Sequence, residues 1–139
     1  MNADTLPPPP WERIVADVAD ALIFIDTAGV IRAWNAAAAA LFGFSADAAL
    51  GQSVDMIIPP HLREAHWRGF ERALQRGACS RPGEVRTTRG LHQDGRKLYV
   101  DMSFAVVKGA DGQVLGSAAM ARDATARYLA EQARRAAAG

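Results

Sequence analysis

Apolar and polar residues alternate most regularly in the last third of the chain. One face of that segment carries a large apolar residue at every second position: Leu98, Val100, Met102, Phe104 and Val106. This period of two is typical of a strand with one buried face. Asp-Gly pairs at 94–95 and 111–112 flank the segment and are typical of tight hairpin turns. The pattern predicts three antiparallel strands, over about 84–91, 96–108 and 113–122.

Two further strands and a series of helices are predicted before this segment. The stretch ALIFIDTAGVIRAWN reads as two strands around a tight turn at Gly29. An Ala-rich helical run follows, which Asn35 can cap and which Gly43 interrupts. A longer helix is predicted through HLREAHWRGFERALQ, because Pro60 stands near its start and Gly77 just past its end.

The two ends of the chain have patterns of their own. Residues 1–10 finish in PPPP, which is typical of an extended arm. An apolar stripe at helical spacing follows, made of Trp11, Ile14, Val15 and Val18. It predicts a short helix over about 11–19, and a polar, Ala-rich helix is predicted over about 124–138.

The order of these elements predicts an α+β domain in which five antiparallel strands carry helices on one face. The first two strands can reach the last three only through the helices, which must therefore cross one face of the sheet. A cavity between helices and sheet is expected from that architecture. The predicted organisation is an arm over residues 1–10, a domain over 11–125 and a C-terminal helix over 126–139.

Composition narrows the possible functions. The length of 139 residues suggests one domain, and a formal net charge of +1 favours neither a nucleic-acid nor a membrane partner. No apolar run approaches the roughly 20 residues that cross a bilayer. The only cysteine, Cys79, cannot form an internal disulfide, so a cytoplasmic location is expected. The sequence shows no nucleophile–base set or phosphate loop, and we therefore expect no enzyme activity.

A histidine stands inside the apolar stripe of the longer helix. His66 shares this face with Leu62, Gly69, Phe70 and Ala73. A neutral imidazole at such a position either finds a hydrogen-bond partner or ligates a metal. For a lone histidine the first outcome, a bond to a backbone carbonyl, is the commoner one.

Over about residues 11–125 the chain resembles PAS domains. The resemblance is carried by LIFIDTAGVIRAWNAAAAALFGFSADAALGQSV, RTTRGLHQDGRKLYVDMSF and GSAAMARDAT. The first stretch matches the Asn that opens a helix, the Phe-Gly-Phe break and the later Leu-Gly of the family. The last stretch matches the Arg-Asp-x-Thr exit into a signalling helix. The resemblance implies the PAS fold but leaves the ligand open, because one fold hosts many functions.

The helix around His66 is also similar to the proximal-histidine helix of FixL-type oxygen-sensor haem PAS domains. Those sensors place an arginine six residues after the axial histidine, another after twenty, and an apolar distal residue after thirty-six. The corresponding positions are His66, Arg72, Arg86 and Met102. The resemblance implies haem b with His66 on the iron, both arginines near the propionates, and Met102 as a distal wall or sixth ligand. The stretch ACSRPGE before Arg86 departs from the sensors' loop.

Other residues are expected to line the same pocket. Gly69 has no side chain, so a flat macrocycle could approach the helix there. The remaining expected lining residues are Phe70, Phe104, Ile57, Val85 and Leu115. The two arginines have a plainer alternative, in which Arg72 is a solvated charge and Arg86 lies on a solvent-exposed face of its strand.

The resemblance implies a haem-binding sensor that detects a diatomic gas (O2, CO or NO) or a redox state and signals through its flanking helices. We expect a homodimer, with output from a protein in trans or from an output domain that this sequence does not contain. Two alternatives stay open. One is a cofactor-free PAS module for dimerisation or protein contact, and the other is a pocket for a small organic ligand whose carboxylate faces Arg86.

Overall fold

The computed structural model describes residues 3–139, so the first two residues of the predicted arm lie outside the described part. The helices are α1 (Trp11–Asp17), α2 (Ala36–Phe42), α3 (Ala46–Ala49), α4 (Arg63–Arg76) and α5 (Thr125–Ala138). The strands are β1 (Ala21–Asp26), β2 (Ile31–Trp34), β3 (Arg86–Leu91), β4 (Lys97–Lys108) and β5 (Val114–Asp123). Short 3-10 turns cover Ala3–Thr5, Val54–Ile57 and Pro60–Leu62.

The five strands form one antiparallel sheet in the order β2-β1-β5-β4-β3. The predicted α+β class and strand number are confirmed, and the strand bounds differ from the prediction by one or two residues. The arm differs more, because Ala3–Thr5 forms a 3-10 turn where an extended chain was expected. None of the helices formed by residues 3–139 has the length and apolarity that crossing a lipid bilayer requires.

Cross-strand partners define the two faces of the sheet. Arg86 on β3 lies directly opposite Met102 on β4. Two residues further along β4, Phe104 lies opposite Ala119, which in turn lies opposite Ile23 of β1. Directly paired residues point to the same side of a sheet. We call this side the inner face, because Ile23 and Ala119 are buried on it.

Helices α2 and α3 and the turn Val54–Ile57 pack against the inner face and form the core with it. The buried residues there include Ile23, Ile25, Ile31, Trp34, Phe42, Val54, Ile57, Leu98 and Val100. Helix α2 ends at Gly43, whose left-handed backbone (φ 84°) stops the helix where the sequence predicts a break. The core therefore lies under β1 and β2, under the first half of β4 and under Ala121 of β5.

The segments that enter and leave the sheet meet at one corner. The buried side chain of Asn35 accepts hydrogen bonds from the backbone N–H groups of Leu22 and Ala38. Its amide donates to the carbonyl oxygens of Val15 and Asp20. Arg122, close to the end of β5, forms an ion pair with the carboxylate of Asp20.

Candidate functional site

Helix α4 is attached to the domain through its N-terminal half. The Nε of Arg63 donates to the carbonyl oxygen of Ile58 at 3.0 Å. The indole N–H of Trp67 donates to Asp55 Oδ1 at 2.8 Å. The ring of Trp67 also covers Gly29 in the β1–β2 turn so closely that a Cβ at that position would overlap it. This end of the helix is therefore held by polar bonds and by ring contact together.

His66 lies in this attached half of α4. Its ring stacks on Phe70, with centroids 6.1 Å apart, and meets Trp67 edge-on at 4.9 Å. Its Nδ1 is buried and has no hydrogen-bond partner within residues 3–139. The plainer alternative predicted a hydrogen bond from the ring to a backbone carbonyl, and Nδ1 of His66 forms no such bond within residues 3–139.

The surroundings of His66 also affect its protonation. Partial burial lowers the pKa of His66 below its ordinary value, because the protonated ring loses solvation, and the nearby Asp55 carboxylate opposes that shift. The ring is consequently neutral near pH 7 and keeps a nitrogen lone pair, which is the form that binds metal ions.

The inner face near β4 is incompletely covered. Phe104 is 42% exposed although its row partners Ile23 and Ala119 are buried. Met102 packs against the core, as does Phe70 of α4. A Cβ added to Gly69 would meet no heavy atom within 4 Å, so the α4 backbone is open at this position. The helices thus leave an apolar part of the inner face accessible.

The two predicted arginines are both exposed, and neither forms an ion pair within residues 3–139. Arg72 lies on α4. Arg86 lies on the inner face through its pairing with Met102, and its side chain is exposed there, as the plainer alternative predicted. Both guanidinium groups remain available to an external carboxylate.

Three residues that were expected to line the ligand pocket do not line the accessible part of the inner face. Ile57 is buried in the core beside Phe42 and Gly90. Val85 precedes β3 and is 63% exposed, and Leu115 is 45% exposed beside the irregular pairing at the start of β5. The reason is local, because Val85 precedes the paired strand and Leu115 falls where the β4–β5 register shifts.

Two cavities lie at the surface of the domain. One, of about 260 Å³, separates α4 from the β1–β2 turn and is lined by Thr27, Ala28, Trp67, Phe70, Glu71 and Leu74. The other, of about 270 Å³, is lined by His61, Leu62, Thr87, Thr88, Arg89, Tyr99 and Tyr128. Of the residues expected to hold a ligand, only Phe70 lines either cavity.

Sequence reasoning missed the contacts at the base of α5. Tyr128 stacks on Tyr99 with ring centroids 3.9 Å apart. The hydroxyl of Thr125 accepts a hydrogen bond from the Tyr99 N–H at 3.0 Å, and Arg127 donates to Asp101 at 2.9 Å. The only signal in the sequence was that Tyr99 and Asp101 both fall on the polar side of the alternating strand.

His92 also lies elsewhere than expected. The place of His92 beside the Asp94–Gly95 turn predicts a solvated side chain, yet the side chain is mostly buried and its ring covers Gly43. Its Nδ1 accepts a hydrogen bond from the backbone N–H of Asp94 at 3.1 Å. This histidine therefore closes a turn and has a structural role.

No group of three or more His, Cys, Asp or Glu side chains within residues 3–139 is arranged to hold a metal ion. Haem asks less of the protein, because a single axial side chain can hold its iron. Among the histidines, His66 alone has a buried nitrogen without a partner in the described part of the chain.

A family model, that of the PAS fold, matches residues 15–129. The chain belongs to the PAS fold family. A relative from Azorhizobium caulinodans, an uncharacterized protein, is 32% identical over 85 residues. That match covers 60% of this chain but 12% of the relative, so the chain spans a small part of the relative's length.

Solved structures agree with the family. A PAS domain from Colwellia psychrerythraea is 26% identical, with a TM-score of 0.72, and the match covers 83% of this chain and 94% of that one. An RNA-binding light-oxygen-voltage receptor is 21% identical, with a TM-score of 0.70 over 96% of this chain and 41% of that one. A PAS domain of a LuxR-family transcriptional regulator from Burkholderia thailandensis, in complex with ethanol, is 12% identical, with a TM-score of 0.64 over 83% and 97%. The last two show the fold alone.

Proposed function

We propose that this PAS domain is a sensor whose ligand is haem b, with His66 as the axial ligand of the iron. The observation that carries the proposal is the buried Nδ1 of His66 without a partner. Leaving a buried polar atom unpaired costs about 1–3 kcal/mol, which a ligand-binding role would account for. The lowered pKa of His66 supports the same role, because it keeps the ring neutral.

The charge, size and polarity of the other expected ligand-binding residues are compatible with haem. Arg72 and Arg86 are exposed and form no ion pair within residues 3–139, so they would pair with two propionates. Gly69 would let a flat macrocycle approach α4, and the accessible Phe104 with Met102 would supply an apolar wall.

Bound haem would supply an iron centre for a diatomic gas or a redox change. A sensor also needs two states with different protein contacts. Arg86 is suited to this, because it stands at the end of edge strand β3 without a competing acid and directly opposite Met102. The contacts of β4 with α5, through Tyr99 and Tyr128, would carry a movement of the sheet to the signalling helix.

The partners that we propose are a second copy of the chain and an output protein or domain. Exposed apolar side chains on α1, on α5 and on the outer face of the sheet support pairing: Trp11, Ile14, Leu129 and Met120. A cytoplasmic location, without nucleic-acid or membrane contact, remains part of the proposal.

A second candidate is a PAS domain that takes a small organic ligand or none. The cavity sizes favour it, because volumes of about 260 and 270 Å³ lie close to the lower limit of the range for ligand pockets, roughly 300–1,000 Å³, and therefore suit a ligand smaller than a tetrapyrrole. In that case His66 stays unligated and the purified protein is colourless.

The absorption spectrum of protein produced with added haem precursor tests the proposal. A Soret band is expected in the native protein and in Gln75→Ala, an exposed change on the same helix. The band should be lost in His66→Ala, and Arg72→Gln with Arg86→Gln should weaken haem retention. A colourless native protein would reject haem, and an unchanged band in His66→Ala would reject the axial role. Native mass spectrometry of the colourless protein would then separate a small-ligand pocket from an empty module.

A further inference from the structure

The cavity at the base of α5 is lined by basic, hydroxyl-bearing and aromatic side chains. We call it the α5 groove, and its lining residues are His61, Leu62, Thr87, Thr88, Arg89, Tyr99 and Tyr128. None of them belongs to the set proposed to hold haem. They come from four places in the fold: the turn before α4, the edge strand β3, strand β4 and helix α5.

The groove contains a positive charge without a counterion. The guanidinium carbon of Arg89 lies 5.8 Å from the centroid of the Tyr99 ring. Within residues 3–139 Arg89 has no acid at ion-pair distance, whereas the neighbouring Arg127 contacts both Asp101 and Glu131. Asp101 accepts at its Oδ1 from Thr87 at 2.6 Å and from Arg127 at 2.9 Å, and its ion pair is with Arg127 and not with Arg89.

The remaining walls are apolar or can donate hydrogen bonds. Leu62 and the Tyr99–Tyr128 pair supply hydrophobic and aromatic surface, and His61 and Thr88 supply polar atoms. The volume of about 270 Å³ equals that of about nine liquid water molecules at roughly 30 Å³ each. An occupant of that size has roughly ten non-hydrogen atoms.

From this combination we propose that the α5 groove is a second binding site, which takes a small organic acid. The planar guanidinium of Arg89 binds the carboxylate, since its paired N–H groups match the two oxygens. The body of the acid lies against Leu62 and Tyr128. The site is independent of haem and of His66.

The position of the groove gives the site a consequence for signalling. An acid bound there contacts the turn before α4, strand β3 and helix α5 at once, so it favours the state in which α5 stays docked on the sheet. A ligand shifts a conformational equilibrium only through such differential contacts.

Isothermal titration with benzoate, which has nine non-hydrogen atoms, tests the site in the full chain. Saturable binding to the native protein is expected, together with slower amide hydrogen exchange at the start of α5. The neutral isostere benzamide should bind at least tenfold more weakly, and so should benzoate to Arg89→Gln. Benzoate binding to Arg68→Gln, an exposed arginine of α4, should equal that of the native protein.

Three results would overturn the proposal: no saturable binding of benzoate, equal affinity for benzamide, or unchanged affinity in Arg89→Gln. If Arg89→Gln failed to fold, the comparison of benzoate with benzamide on the native protein would still decide the question. Both outcomes are separate from the Soret band, so this site and the haem proposal can fail independently.

Discussion

The side-chain amide of Asn35 donates a hydrogen bond of 2.9 Å to the backbone carbonyl oxygen of Val15, twenty residues earlier in the chain. The same side chain caps α2 through the N–H of Ala38 and also accepts from Leu22 in β1. One residue thus joins α1, β1 and α2. The sequence indicated only the cap, because capping depends on nearby positions while the bond to Val15 requires the folded chain.

We expect Asn35→Ala to lower the free energy of unfolding by about 2–4 kcal/mol. The substitution removes a helix cap, worth about 1 kcal/mol, and leaves buried backbone groups unpaired. Urea denaturation measures the loss. Ser53→Ala is the matched control, since Ser53 is an exposed cap with one bond to the N–H of Asp55, and its loss should stay below about 1 kcal/mol. Equal losses in the two variants would contradict this account of Asn35.

Stability should depend on pH through His66. Because burial lowers its pKa, the unfolded chain binds more protons than the folded chain below the ordinary histidine pKa of about 6.5. The free energy of unfolding should therefore fall as the pH drops through about 6.5. His66→Phe should reduce this fall, and His61→Phe, at an exposed position, should leave it intact.

Denaturation between about pH 5 and 8 checks this dependence without interference from acids. The pKa values of Asp94 and Asp101 are lowered, chiefly by hydrogen bonds from the Arg96 N–H and from Thr87, so both carboxylates stay ionised in this range. If His66→Phe kept the full pH dependence of the native protein, the titrating group would have to be another one.

Gly43→Ala should destabilise the domain more than Gly51→Ala. Both glycines have left-handed backbones, with φ of 84° and 86°. A Cβ at Gly43 would overlap the His92 ring, while one at Gly51 would meet nothing within 4 Å. The backbone cost of about 1 kcal/mol or more is common to both, and the ring contact adds to it at Gly43 only. Thermal unfolding of the two variants compares them, and similar melting temperatures would show that the His92 ring moves aside freely.

Tyr128→Ala should release the start of α5 from the sheet. The stack on Tyr99 is worth about 0.5–1.5 kcal/mol beyond its buried area. Faster amide hydrogen exchange is expected over the first turns of α5, with little change in β1 or α2. Arg134→Ala changes an exposed residue further along α5 and serves as the control. Unchanged exchange in Tyr128→Ala would mean that Thr125 and Arg127 hold the helix without the stack.

The sheet could be predicted well from the sequence because its signals are local. Alternation placed Met102 and Phe104 on one face and Arg86 with Thr88 on one side of their strand, and the register agrees. The site was less predictable. The exposure of Phe104 depends on how far the helices extend over β4, which no periodicity records.

The burial and hydrogen bonding of individual side chains could be predicted only where residues nearby in the sequence determine them. The stripe predicted that His66 faces the core, but the lack of a partner for its Nδ1 depends on residues from other elements. His92 was misplaced for the same reason, since the residue that it covers, Gly43, is far away in sequence.

The ion pair between Asp20 and Arg122 places the entrance to β1 beside the exit from β5. The segments before β1 and after β5 therefore join the sheet at neighbouring points. A domain of this kind can stand between other modules without separating them widely, and a movement of β5 at Arg122 would reach the chain before β1 through the ion pair with Asp20.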